Sequence, residues 1–213
     1  GRLDYCVPQI YWEIGNKAAD YATLIRWWDQ YAGKRPLIIG EDVERTVKAA
    51  DLRNPSQHQQ YAKHLLQQQL PNVKGTVLWY AKAVVDNVGN YGTMLRDYYW
   101  RTPALQPDMS FIDKRSPGKV KKLKSILTSD GYVLFWTAPK GNNWHSKAVN
   151  YVVYRFAKGE HINIDDASKI VAVTRNTYYK LPRKTGNQQY VYVVTALNRL
   201  HNESGIRKQK VKL

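Results

Sequence analysis

The spacing of apolar residues changes once along this chain, and that change limits the fold more than any single motif. Up to about residue 100, short apolar runs alternate with stretches of helical spacing; from about residue 119 the spacing shortens to two. Strand followed by helix, repeated, makes a parallel sheet, because each helix supplies the right-handed crossover between neighbouring strands. A succession of short period-two runs makes an antiparallel β-sandwich. The chain is therefore expected to be an α/β unit over residues 1–113 followed by an all-β unit over 114–213.

Three strand-then-helix units are expected in the first part. The apolar run of residues 3–12 leads through Ile14-Gly15-Asn16-Lys17 to a helix around 19–32, with Tyr21, Leu24, Ile25, Trp28 and Tyr31 at helical spacing and Gly33 as its stop. Arg35-Pro36 introduces the strand Leu37-Ile38-Ile39-Gly40. Asn54-Pro55 has the form of an N-cap with proline at the first helical position, which predicts a helix over 55–70 with Tyr61, Ala62, Leu65, Leu66 and Gln69 inward. A third strand, residues 75–80, precedes a helix around 90–100 that turns Met94, Leu95, Tyr98 and Tyr99 inward. Three strands do not close a (β/α) barrel, which needs eight. The expectation is a partial barrel of about three βα units with an open edge, the C-terminal portion of a larger fold.

Residues 101–118, with Pro103, Pro107 and Pro117, read as a linker hugging the first unit. Beyond it the candidate strands are 119–127, 131–137, 149–156, 169–174, 177–181, 189–197 and 206–212. Turn signals stand at Ser129-Asp130-Gly131 and Thr185-Gly186-Asn187.

Charge divides the chain in the same place. Residues 1–113 hold 13 Lys and Arg against 12 Asp and Glu, whereas residues 114–213 hold 20 against 5. A basic half attracts nucleic acid, acidic polysaccharide or a membrane surface, although charges scattered over strands and loops read first as a solvated face. No run of about 18 apolar residues is present, so no membrane-spanning helix is expected. No basic-then-apolar leader opens the sequence. The single cysteine, Cys6, excludes a disulfide framework and lies in an apolar run, where a buried structural thiol is expected. No metal-ligand spacing or phosphate loop occurs, so no cofactor is expected; His58 and His64 are assigned no metal role.

The second half resembles a fibronectin type III domain through Trp136, the run Tyr151 to Arg155, Leu181, and Tyr190-Val191-Tyr192-Val193-Val194-Thr195-Ala196-Leu197-Asn198 with Glu203-Ser204 after it. The resemblance implies that Tyr190 is a corner tyrosine bonding back to the backbone. The first half resembles the C-terminal portion of a bacterial glycosyl-hydrolase-like family, family ten of that group and distinct from the xylanase family of the same number. The residues that carry it are Asp4-Tyr5, Val7-Pro8-Gln9-Ile10-Tyr11-Trp12, Ala19-Asp20-Tyr21, Trp27-Trp28, Ile39-Gly40 and the run Tyr98 to Leu105. Members carry a full TIM barrel and are secreted or held at the cell envelope, which sets the expected location. Their paired aspartates fall on an earlier strand that no segment here matches, so the resemblance implies an inactive fragment.

Glycoside hydrolysis uses two carboxyl groups, and barrel enzymes present them at the C-terminal ends of strands. Glu13 is the candidate catalytic residue on that ground, with Gln9 and Tyr11 on its face by alternation. Gln9, Tyr11, Trp12, Glu41, Asp42, Trp79 and Lys82 are the candidate carbohydrate contacts, since aromatic faces beside polar groups suit a sugar. Against this, Glu41 and Asp42 suit N-capping or pairing with Arg45, and Trp27 and Trp28, on a helix, suit the core. The expected partner is carbohydrate; self-association through the open barrel edge is a second possibility. Two further functions compete: a non-catalytic carbohydrate-binding or scaffold protein, and a basic sandwich that binds polyanions through Tyr178, Tyr179 and Tyr190 among Lys180, Arg183 and Lys184. Nucleic acid is the disfavoured partner.

Overall fold

The computed structural model describes residues 3–51, 54–181 and 188–213. It divides between Arg101 and Thr102 into two compact units, each taken here by itself.

In the first unit, strand β1 (Leu37–Asp42) lies between the opening segment and strand β4 (Val73–Trp79). All three run parallel. Cys6 and Gln9 bridge to Leu37 and Gly40, with Ile38 N–H donating to the Cys6 carbonyl at 2.9 Å and Ile10 N–H to that of Gly40 at 2.9 Å. The expected strand over residues 3–12 is thus a ladder only across Cys6–Ile10, and Pro8 within it lacks an N–H to donate, its carbonyl still accepting from Gly40 N–H at 2.9 Å. On the other side β1 pairs with β4 from Leu37↔Val73 to Asp42↔Trp79.

Helix α1 (Tyr21–Tyr31) makes the first crossover. Asp20 caps it by accepting from Thr23 N–H at 2.8 Å, and Gly33, at φ 65°, takes the left-handed position that ends it. Its inward residues, Tyr21 and Ile25, pack with Ile10, Leu37, Ile39 and Leu66 in one core. Cys6 is partly buried against that core. Trp27 and Tyr31 face outward, 51% and 62% exposed, so the expected core role fails for both, while Trp28 packs in part.

Helix α3 departs from expectation at its start and in its facing. Residues Asn54–His58 form strand β3, paired antiparallel with β2 (Ala50–Asp51), and α3 runs over Gln60–Gln69. Proline without an N–H is tolerated in an edge strand as well as at a helix start, so Asn54-Pro55 did not decide between them. The buried residues are Gln60, Lys63, His64, Leu66 and Gln67, whereas Tyr61 and Leu65 are exposed. The helix turns its polar stripe inward.

After β4 the chain forms α4 (Ala81–Val85) and a 3-10 turn (Val88–Asn90), and then the helix expected around 90–100, as α5 (Tyr91–Met94) running without a break into a π turn (Leu95–Tyr99). Asn87, Gly89 and Asn90 all have positive φ and separate this helix from α4. Tyr91 and Leu95 are buried against Val43 and Ala83, in strand-following helix α2 (Val43–Lys48) and α4 respectively; Tyr98 points out at 72% exposure.

Among its described residues the second unit has seven strands: β5 (Lys121–Thr128), β6 (Gly131–Thr137), β7 (Asn150–Ala157), β8 (Ile170–Thr174), β9 (Tyr178–Lys180), β10 (Gln189–Leu197) and β11 (Arg207–Lys212). They form a three-stranded sheet, β5-β6-β9, and a four-stranded sheet, β11-β10-β7-β8, with every pairing antiparallel. Each strand falls within two residues of expectation. Between the sheets lie Leu134, Trp136, Tyr151, Val153, Tyr192 and Val194, with the Trp136 and Tyr151 rings edge-on at 5.4 Å. The turn at Thr185-Gly186-Asn187 lies outside the described residues.

The four-stranded sheet is covered on its outer face too, where Val152, Tyr154, Phe156 and Val193 pack with Leu105, Ile162 and Ile164. The segment expected to hug the first unit is fastened here instead. Asn202 and Asn198 side chains donate to the Asp113 and Arg115 carbonyls, and Met109 N–H donates to that of Leu200 at 2.8 Å. Backbone carbonyls without a strand partner are satisfied by side-chain amides of the β10–β11 loop, which ties the segment to the sandwich. Tyr190 donates to the Gln188 side chain, and any bond back toward residues 182–187 falls outside the described residues.

Candidate functional site

The two faces of the parallel sheet differ in what covers them. Leu37, Ile39 and Glu41 alternate onto the face that packs against α1 and α3. Ile38, Gly40 and Asp42 therefore point the other way. A Cβ on Gly40 would stand 3.6 Å from the Gln9 Cγ, which puts the Gln9 side chain on this second face. Gln9 is exposed there, as are Val77 and Trp79, at 49% and 60%. Among the described residues of the first unit nothing covers Gln9, Val77 or Trp79.

The strand ends gather several expected residues. The register Asp42↔Trp79 sets those two side by side, and Tyr11 follows directly after the last bonded residue of the opening segment, Ile10. Glu13 follows in the loop, half-buried. The Asn16 amide, donating to Glu13 Oε1 at 2.7 Å, holds this carboxyl below the usual carboxylate range, and the charges of Arg45 and Lys63 act in the same direction. Such a group is ionised at neutral pH, which suits a base or nucleophile and not an acid. Trp12 lies under the Arg45 guanidinium, 5.9 Å from the ring centroid. Gln59 fixes the same loop by a two-way amide contact, accepting from Ile14 N–H at 2.6 Å and donating to Ile14 O at 3.0 Å. The Trp79–Tyr80 peptide is cis.

Other candidates are committed elsewhere. Asp42 caps α2, accepting from Arg45 N–H at 2.9 Å. Lys82 pairs with Asp86 one turn on, which places its charge along α4. Glu41 is fully buried on the helix-covered face, where Oε1 accepts from Tyr21 Oη at 2.7 Å and from Gln67 Nε2 at 2.5 Å. It neither caps a helix nor faces the open side.

Around Glu41 stands a polar network that sequence pattern did not reveal. Gln67 also donates to Tyr21 Oη, at 2.9 Å, and accepts from Thr76 Oγ1 at 2.6 Å, so one amide ties α3 to α1, β1 and β4. Lys63 is fully buried, donating to Thr46 Oγ1 at 3.1 Å with its Nζ 4.5 Å above the Tyr21 ring. Burial raises the Glu41 carboxyl, and the Lys63 charge opposes that; burial lowers the Lys63 ammonium, and Glu41 opposes it in turn. Each charge is the other's main relief from desolvation. His64, under Tyr99 at 4.3 Å between ring centroids, is pushed down to about 4 by burial, with the Lys63 charge adding to it. The signal was present in the helix: Gln60, Lys63, His64 and Gln67 stand at i, i+3, i+4 and i+7. Among the described residues no group of three His, Cys, Asp or Glu is placed to hold a metal. No described helix is long and apolar enough to cross a membrane.

No family model matches this chain. Over its whole length it is similar to the glycosyl hydrolase YngK of Bacillus subtilis (strain 168), 32% identical over 221 residues, covering 100% of this chain and 42% of that protein. The chain thus spans less than half the length of that relative. Solved structures that match the sandwich include a crystal structure of titin domains, 23% identical with a TM-score of 0.35, covering 46% of this chain and 32% of that one. FN3tt matches at 20% identity and a TM-score of 0.34, over 45% of this chain and 92% of its own.

Proposed function

We propose that the first unit supplies three consecutive strands of a (β/α) barrel in a glycoside-hydrolase-like protein, and that its open face looks into the barrel. The observation that carries this is that Gln9, Asp42 and Trp79 stand toward the C-terminal ends of three parallel strands, with Tyr11 and Glu13 in the segment that follows the first, where barrel enzymes hold their chemistry. Whole-length similarity to a protein named a glycosyl hydrolase supports the reaction class. Among the described residues β4 pairs with β1 alone, so its far edge is where a further barrel strand would pair, and such an edge, where left open, is a site for self-association.

In this reading Glu13, held ionised, acts as base or nucleophile. The acid comes from a carboxyl group on another strand of the barrel, because two are required. Trp79 offers an exposed ring for a sugar face, with Gln9 and Tyr11 hydrogen-bonding its hydroxyls, and Trp12 shapes the loop under Arg45. Glu41 holds the helices behind the site and touches no substrate. A secreted or envelope location follows from the same resemblance.

The test uses the protein at the length of YngK with neutral oligosaccharides. Glu13→Gln is expected to lower kcat about a hundredfold or more with KM little changed. Trp79→Ala is expected to weaken oligosaccharide binding by roughly tenfold, the loss of one stacking contact. Turnover unaffected by Glu13→Gln removes Glu13 from the chemistry; binding without turnover in the unmodified protein leaves a carbohydrate-binding scaffold.

A further inference from the structure

Strands β5 and β11 belong to different sheets yet run beside one another at one margin of the sandwich. Arg207 Nε donates to the Val120 carbonyl at 3.3 Å, and Gln209 Nε2 to Ser125 Oγ at 3.5 Å. This contact brings together Lys119, Lys121, Lys122, Lys124, Arg207, Lys208, Lys210 and Lys212, all exposed. The sequence has no Asp or Glu over residues 114–129 or after Glu203. Among the described residues none of the eight forms an ion pair. Strand length makes the strip roughly 25 Å long.

Its backbone is arranged to keep these charges outward. β5 slips register between Lys121↔Thr137 and Lys124↔Phe135, and within the slip Lys122 has φ 50°. Lysine rarely adopts this left-handed conformation. The extra residue lets both Lys121 and Lys122 face solvent while Leu123 stays in the core. Charged side chains, lysine above all, guard a sheet edge against pairing. Eight cations without a counter-charge, two of them exposed by a strained bulge, exceed that need.

We propose that this strip binds an acidic polysaccharide, a polymer of carboxylate-bearing sugars laid along β5 and β11. Lysines outnumber arginines seven to one here, and such point charges hold an extended polyanion by Coulomb attraction along its length, without the bidentate geometry that arginine offers to carboxylate and phosphate alike. No aromatic residue stands on β5 or β11 for a nucleic-acid base to stack on. The earlier candidate for base stacking is also occupied: Tyr190 lies under Arg155 at 5.2 Å, Arg183 and Lys184 are outside the described residues, and only Tyr178 is half exposed. The preference for a glycan rests in part on the chemistry proposed for the first unit.

Binding of the full chain to polygalacturonate is measured by titration calorimetry without any turnover, so its failure leaves the hydrolytic proposal standing. Affinity is expected to fall steeply with salt. Replacing Lys121, Lys122, Lys208 and Lys210 by Gln is expected to weaken binding about tenfold or more, and replacing Lys147, Lys158, Arg175 and Arg199 by Gln, an equal change in net charge, less than about twofold. Equal losses in the two variants reduce the effect to net charge and overturn the proposal. Tighter binding to duplex DNA or to anionic lipid vesicles at matched charge overturns it as well. All eight substituted side chains are exposed, and unchanged melting of both variants checks that folding is intact.

Discussion

The two units bury their polar groups in opposite ways. In the sandwich, side chains of β6, β7 and β10 meet as apolar layers, and its buried polar residues, such as Asn198 and Asn202, serve to hold loop backbone. In the α/β unit a helix turns Gln60, Lys63, His64 and Gln67 inward against Glu41 and Tyr21, and leaves Tyr61 and Leu65 outside. An apolar layer can be read from its period because every member obeys one rule. A polar network obeys pairwise rules between segments far apart in sequence. Sequence reasoning therefore fails where a site has displaced the packing pattern.

The strongest way to break this comparison is to remove one member of the buried pair. Glu41→Ala leaves the Lys63 ammonium buried without its carboxylate and is expected to destabilise the first unit by about 3–5 kcal/mol, read by denaturant unfolding. The double change Glu41→Leu with Lys63→Met is expected to recover most of that loss, since a buried pair is often no better than apolar residues of similar volume. A double variant as unstable as the single one would mean that the network, and not its charge balance, holds α3.

In the sandwich the matching change is Leu134→Ala at a fully buried position, expected to cost about 3 kcal/mol through lost burial and a cavity, with no dependence on pH. His64 sharpens the contrast. Its imidazole is neutral in the fold, so the unfolded chain takes up the proton first. Stability from this group is complete above about pH 6.5 and is lost as pH falls toward 4, a difference of about 3 kcal/mol that is absent in His64→Phe. A first unit whose unfolding is equally pH-dependent in that variant would place the titration elsewhere. The smallest effect is local: Asp20→Ala removes the cap of α1 and is expected to cost about 1 kcal/mol in thermal unfolding.

Much of the fold was legible. The seven sandwich strands follow from alternation, and the end of α1 from the glycine at position 33. The helix expected over 55–70 was misplaced because Asn54-Pro55 fits an edge strand as well as a cap. Trp27 and Tyr31 were misjudged because helical spacing shows that residues share a face, and not that the face has a partner. Gln9, Tyr11, Glu13 and Trp79 are candidates by their expected places at strand ends, and the structure puts Gln9 within the ladder, Trp79 at the end of β4, and Tyr11 and Glu13 in the segment after Ile10. Glu41 was found for a role it does not have: as the residue after Gly40 it should have ended the strand, but it continues the buried face of Leu37 and Ile39.

The sequence by itself determined the two classes of structure, their order and the uneven charge, because period and composition are local properties. Only the tertiary structure decided which side of the parallel sheet is covered, which carboxylate is buried, and which two strands bring their lysines together. Each of those depends on the pairing of distant segments: α3 against β1, Gly40 beside Gln9, β5 beside β11. Such pairings are chosen by the free energy of the whole packed unit: the polar stripe of α3 can be read within a short window of residues, but the carboxylate it meets on β1 cannot.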